Sequence, residues 1–378
     1  MQTIAQKIDL KDLDKSNWET FRFEEIASKI SETVDPNSTT LDTYVGLEHL
    51  DAEDIHIRRK GTPDDVSGGK LKCYPGDVIF GKRRAYQRKA AIVDFEGICS
   101  AHAFVFRVYP EVIEPKLFPF FMHSDQFMHR MVDISVGGLS PTINWGDLKH
   151  QEFLLPPKDQ QAELAELLWA MDEVIERERE VLELHDNLYL SYSKSIFSNG
   201  IGKKVELKKL GILTMGQSPA GNSYNEDGNG MPFLQGNAEF GEKFPSFIKY
   251  TTAPNKIVPK NSILISVRAP VGDLNYADRE YCIGRGLAGL FIDDEILRDY
   301  VFNFLKYSRH DLEKNSTGST FKAINKDTLS SLKCIIPDVK TLRDNSQKLN
   351  SIIRSIELFS RKIKSSQALQ KSLINQIF

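Results

Sequence analysis

The segment LAELLWAMDEVIEREREVLELHDNLYLSYSKSI (164–196) spaces Leu164, Leu168, Met171, Ile175, Glu178, Leu182, His185, Tyr189, Tyr192 and Ile196 alternately by four and three residues. That alternation keeps one stripe on one face of a helix wound against a partner, which is the pattern of a coiled coil. Leu167, Val174, Val181 and Leu188 widen the stripe. A second segment, LNSIIRSIELFSRKIKSSQALQKSLINQI (349–377), repeats the alternation through Leu349, Ile352, Ile356, Phe359, Ile363, Ser366, Gln370, Leu373 and Ile377. Each helix spans about 38 residues, or about 57 Å at 1.5 Å per residue. Residues 159–186 carry 2 basic and 10 acidic side chains, whereas 340–371 carry 8 basic and 2 acidic. An acidic helix facing a basic one selects that partner and resists self-pairing. The two are therefore expected to form an antiparallel pair.

The seams superpose at an offset of 181, and the same offset brings Ile143-Asn144 onto Ile324-Asn325, Leu148 onto Leu329, Leu155-Pro156 onto Ile336-Pro337 and Ile196-Phe197 onto Ile377-Phe378. Upstream, DVIFGKR (77–83) lies over SILISVR (262–268) at a slightly larger offset. The chain reads as two copies of one plan, each a globular block followed by a long helix. Strand-like runs GDVIF (76–80), AAIVDF (90–95), AFVFRV (103–108), NSILISV (261–267) and LAGLFI (287–292) alternate with turn residues, so the blocks are mixed α/β. Helices are predicted over 119–131 and 299–313. Pro156-Pro157 and Pro337 close the last strand of each block and open each long helix, a position proline tolerates.

Composition narrows the function. With 378 residues, 40% hydrophobic and 10% aromatic, the chain can build two or three real cores. No apolar run reaches membrane-spanning length and MQTIAQKIDL (1–10) lacks a basic-then-apolar leader, so a cytoplasmic protein with no membrane partner is expected. Cys73, Cys99, Cys282 and Cys334 stand apart, which argues against a disulfide framework or zinc site. The net charge of −3 conceals a basic zone: residues 58–130 hold 13 basic and 8 acidic side chains. No histidine or carboxylate pattern suggests a metal centre, and no GxxxxGK[ST] loop is present. GRGLAG (284–289) matches GxGxxG formally, but LFIDDE follows it where a helix is needed, so it reads as a glycine-rich strand.

What remains is binding chemistry. Lys82, Arg83, Arg84, Arg88 and Lys89, interleaved with Tyr86 and Gln87, form one basic cluster and Arg58, Arg59 and Lys60 another. Such side chains neutralise phosphates and reach base edges. The more polar candidates in the second block are Gln217, Ser218, Asn222, Gln235, Asn237, Arg268 and Arg285, with Arg268 aligned on Arg83. The loops SVGGLSPTIN (135–144) and NSTGSTFKAIN (315–325) occupy matching places and offer amides and hydroxyls to a phosphate, or serve as turns before the last strand.

This layout resembles the specificity subunit of type I restriction-modification systems over nearly the whole chain. GQSPAGNSYNEDGNGMPFLQGNAEFG (216–241) and YVGLEHLDAEDIHIRRKG (44–61) are similar to stretches of that family's target-recognition domains. So is the junction of Ile-Asn, Leu, a proline-ended strand and Gln160-Gln161, although Thr341-Leu342 stands for Gln-Gln in the second copy. The resemblance implies target-recognition domains at 1–158 and 200–339, and spacer helices at 159–199 and 340–378. It implies a non-catalytic subunit in which each domain reads one half of a bipartite double-stranded DNA site. The helices would set the gap and dock two methyltransferase subunits, with restriction subunits joining them. S-adenosylmethionine, ATP and magnesium would then belong to those partners, and no cofactor to this chain. A different class also fits the pattern: a two-headed scaffold that binds proteins alone.

Overall fold

The computed structural model describes residues 13–246, 248–314 and 323–378. Compactness divides the chain into a first unit of Met1–Arg179 with Arg361–Phe378 and a second of Glu180–Ser360. The division falls inside both long helices, Lys158–Phe197 and Val339–Ile377.

In the first unit, Glu19–Arg22 pairs antiparallel with Glu152–Leu155, closing the block just before the first long helix. One sheet orders the antiparallel strands Ala27–Ile30, Ala103–Val108, Val78–Gly81 and Ala90–Ile92. A second orders Thr33–Val34, Lys70–Cys73, Gly97–Cys99 and Tyr44–Val45, with the last pair parallel. The second unit repeats the plan. Lys203–Glu206 pairs with Lys333–Ile336, and one sheet orders Ile212–Met215, Leu287–Phe291, Ile263–Ser266 and Leu274–Tyr276. In its other sheet Met231–Leu234 again lies parallel to Tyr281–Ile283. The internal repeat is thus a repeat of strand order.

Aromatic packing holds the first block: Phe23 meets Phe106 edge-on at 4.9 Å, and Phe121 meets Phe153 at 5.2 Å. Such pairs add to plain area burial. GRGLAG enters a strand, as its context suggests. A Cβ at Gly289 would lie 2.3 Å from Val258 Cγ1, so close packing against the strand Ile257–Val258 of the other sheet requires glycine there. Both predicted block helices are broken at a serine. The first runs Phe118–His123 and Asp125–Asp133, with Ser124 Oγ accepting from the Phe127 amide. The second runs Glu295–Tyr307 and Arg309–Lys314, on either side of Ser308.

The long helices start differently in the two copies. Gln161 is buried; its Oε1 accepts from the Glu114 amide at 2.6 Å and its Nε2 donates to the carbonyls of Val112 and Pro156 at 3.0 and 2.8 Å. Gln160 accepts from Trp18 Nε1 at 3.0 Å. In the second copy Asp338 caps the helix, accepting from the amides of Lys340 and Thr341 at 3.0 Å and from the Thr341 hydroxyl at 2.7 Å. The Thr341 bonds hold its carboxyl below the usual range.

Within each unit the helices run antiparallel. Asp172 meets Gln370 and Glu178 meets Ser366 in the first, while His185 meets Phe359 and Tyr192 meets Asn345 in the second. Every seam position is buried or half-buried, from Leu164, Leu168, Met171, Ile175 and Leu182 to Leu349, Ile352, Ile356, Phe359 and Ile363. The widened stripe is narrower than expected, because Val174 and Leu188 are 50% and 49% exposed. The seam also serves the blocks. Leu164 and Leu168 pack with Ile55, Leu117, Phe120, Ile374 and Ile377, so a block, its own helix and the second helix share one cluster.

Candidate nucleic-acid interface

The strand Val78–Gly81 is fully buried, and its continuation emerges as the basic loop. That loop is held at both ends by main-chain bonds: the amide of Gly81 donates to the carbonyl of Lys89, and that of Ile143 to the carbonyl of Lys82. Arg84 and Arg88 take the left-handed conformation, with φ of 58° and 52° around a single helical turn, Ala85–Gln87. This turn points consecutive cations in different directions.

Some of the basic residues are engaged by the fold. The Arg88 guanidinium lies 2.9 Å from Glu53 and 2.8 Å from Asp125, and donates to the carbonyl of His123. Lys89 donates to the carbonyl of Leu47. Arg58 binds Asp54 at 2.9 Å and both oxygens of Glu176 at 2.5 and 2.6 Å, and those bonds raise its already high pKa. Arg59 pairs with Asp51 at 2.5 Å, and Lys60 with Asp94 at 3.2 Å while sitting over the Phe95 ring. The Arg58–Lys60 cluster is thus interlaced with acids, one of them on the first long helix.

Arg83, Arg84 and Tyr86 face outward, with half-buried Lys82 and Gln87 beside them. Arg83 and Arg84 are exposed and, among the described residues, no carboxylate pairs with either. Tyr86 is 55% exposed. Lys82 is half-buried over the Phe104 ring, and burial, then the charge of Lys29, lowers its pKa. The fold adds His102, which sequence reasoning missed. Its pKa is lowered by burial, then by Arg83, Lys82 and Lys70. Lys29 and His102 lie on other strands and loops, tens of residues away, so no local pattern could have gathered them.

The SVGGLSPTIN loop lies directly against this patch. Arg83 forms a bridge with Thr142, and the Arg84 amide donates to the Pro141 carbonyl at 2.7 Å. In the second unit Arg268 forms the equivalent bridge with Ala323, and Ile324 donates to the carbonyl of Val267 as Ile143 does to that of Lys82. The aligned arginines therefore occupy one place in a repeated architecture. Residues 315–322 of the second loop lie outside the described residues.

The polar candidates of the second block partly converge. Gln217 donates its amide to Ile283, the Arg285 amide approaches Ser218 Oγ at 3.4 Å, and Gly284 donates to Leu234, next to exposed Gln235. Gln217, Ser218, Gln235 and Arg285 thus share one edge. Asn222 is exposed, whereas Asn237 is tied to Asp273 at 2.7 Å and lines a cavity of about 680 Å³. Among the described residues no group of three His, Cys, Asp or Glu side chains stands together as a metal site, and no helix is long and apolar enough to cross a membrane.

Residues 15–184 and 202–366 match the type I restriction modification DNA specificity domain, once for each copy of the repeat. The chain belongs to this family. It is similar to the putative type I restriction enzyme MjaX specificity subunit of Methanocaldococcus jannaschii, 29% identical over 358 residues, covering 87% of this chain and 84% of that one. A chain solved in a study of complex assembly and conformational transition of the type I R-M system superposes with a TM-score of 0.65 at 29% identity, over 96% of both chains. The type I S subunit of M. genitalium shares the fold at a TM-score of 0.62 and 15% identity, over 97% of this chain and 98% of that one. This specificity subunit thus has the two-block α/β architecture of its relatives.

Proposed function

We propose that each block of this specificity subunit reads one half of a bipartite double-stranded DNA site, and that the long helices set the gap and dock two methyltransferase subunits. The observation that carries this reading is the repeated placement of an exposed arginine, Arg83 and Arg268, at the same bridge in both copies. Lys82, Arg83, Arg84, Tyr86 and Gln87 serve the first half-site, and Gln217, Ser218, Gln235, Arg268 and Arg285 the second, with Asn222 and Asn237 at its margin. Cations of this kind neutralise phosphates, and glutamine and arginine side chains discriminate base edges in the major groove. Arg58, Arg59, Lys60, Arg88 and Lys89 support the reading surface through their ion pairs and carbonyl bonds. A helix of 40 residues is about 60 Å long, more than one 34 Å turn of DNA, which suits a spacer between half-sites. Catalysis belongs to the partners: methyltransferase subunits carry S-adenosylmethionine, and restriction subunits carry ATP and magnesium.

The test is methylation, by the assembled complex, of a DNA library degenerate in both half-sites. Arg83→Ala should relax selection in one half and Arg268→Ala in the other. Equal relaxation of both halves by either variant would overturn the assignment of one block to one half, and binding to partners without any DNA preference would favour the scaffold.

A further inference from the structure

Among the large apolar side chains exposed on the described surface, the most exposed belongs to the loop beside the basic patch. Leu139 is 97% exposed, at the tip of a narrow two-stranded ribbon closed by reciprocal bonds between Val136 and Thr142, at 3.1 and 2.9 Å. The tip is otherwise small. Gly137 takes φ +112°, Gly138 has open space where a Cβ would stand, and Ser140 and Pro141 complete the turn. The ribbon is fastened to the basic loop by the Arg83–Thr142 bridge, the Arg84 amide on Pro141 and the Ile143 amide on Lys82. One large apolar side chain is thus held out in water by a braced support, next to two arginines that no described carboxylate neutralises.

We propose that Leu139 is a wedge that enters a base step of the first half-site while Arg83 and Arg84 hold the flanking phosphates. This rests on the DNA-reading function above and adds a residue that acts by unstacking rather than by hydrogen bonding. Proteins that insert leucine or similar side chains between base steps offset the unstacking cost with contacts that the deformed duplex permits. Specificity then arises from the deformability of the step, at a position with no polar contact. The charge beside the tip favours a polyanion over a protein surface as its occupant.

The experiment uses the complex assembled with its methyltransferase subunits on a duplex carrying its site. 2-Aminopurine is placed in turn at each first-half position other than the methylated base. Wild type should brighten one step, and Leu139→Ala should abolish that signal and weaken site binding about tenfold. Binding to a duplex without the site should stay within about twofold, because that term is set by phosphate neutralisation. Leu139→Met should retain the signal. Unchanged fluorescence and affinity in Leu139→Ala would overturn the wedge, as would loss of methyltransferase assembly with DNA contacts intact, which would make the tip a protein contact. A wild-type complex with no preference for any gapped site would instead sink the DNA-reading function itself.

Discussion

Replacing Leu168 by alanine separates a packed seam from a merely apolar stripe. Leu168 is fully buried in a cluster with Trp18, Ile55, Leu117, Phe120, Leu164, Ala165, Ile374 and Ile377. Three carbons leave, which costs about 2.4 kcal/mol at about 0.8 kcal/mol per buried methylene. The cavity left behind brings the total to about 3–5 kcal/mol, because side chains from the block and from both helices line it and cannot all collapse inward. Alanine is the better helix former, so backbone propensity does not contribute to the loss. Val174 is the control. It lies on the widened stripe but is 50% exposed, and its two carbons at half burial are worth about 0.8 kcal/mol, largely offset by alanine's helix preference. The assay is urea unfolding followed by tryptophan fluorescence. All three tryptophans, Trp18, Trp145 and Trp169, belong to the first unit, so the signal reports that unit alone. Leu168→Ala should lower the urea midpoint strongly at unchanged slope, and Val174→Ala should barely move it. Equal midpoints for the two variants would refute the seam.

Further outcomes are expected at the charged sites and along the helices. The bond to Asp172 raises the pKa of His56, so the stability it contributes is full below the unfolded value of about 6.5 and is lost as pH rises through the raised folded value. His56→Gln should therefore narrow its stability gap from wild type as pH rises from 5.5 to 8.5; a constant gap would show that the pair does not titrate with folding. Changing Lys82, Arg83 and Arg84 together to alanine should reduce the salt slope of DNA binding by up to about 3, whereas an unchanged slope would remove them from the phosphate contacts. Arg58→Ala leaves Asp54 and Glu176 with only the longer contacts to Arg179, at 3.6 and 3.5 Å, and should cost about 1 kcal/mol of stability with the salt slope intact. A heptad inserted near 182–188 and another near 363–369 adds about 10 Å to each helix and should lengthen the gap by about three base pairs. A constant gap would show that the helices do not set it.

The helices were legible because a seam repeats every seven residues, and partner and block contacts reinforce the same positions. The strands were legible for a related reason: Val78–Gly81 and Ile263–Ser266 are buried throughout and read as unbroken apolar runs. Their pairing was not, since Glu19–Arg22 finds its partner more than a hundred residues away at Glu152–Leu155. The helix breaks at Ser124 and Ser308 were also hidden, because apolar spacing continues across each serine while the backbone turns. At the candidate interface, clustering in the sequence grouped the basic residues but could not sort the exposed ones from those engaged by the fold. Arg83 and Arg58 look alike in sequence; only the fold brings Glu176, on the first long helix, onto Arg58 and leaves Arg83 exposed. Acidity along that helix reads as a match for the basic second helix, yet part of it is used by Arg58 and His56 of the first block.

Methylated-base sequencing of host DNA with and without this gene tests the central claim most directly. The account predicts that deletion abolishes methylation at one bipartite, gapped motif and leaves all other motifs unchanged. Methylation that persists at every motif, together with a purified partner-bound complex that ignores DNA sequence, would contradict it.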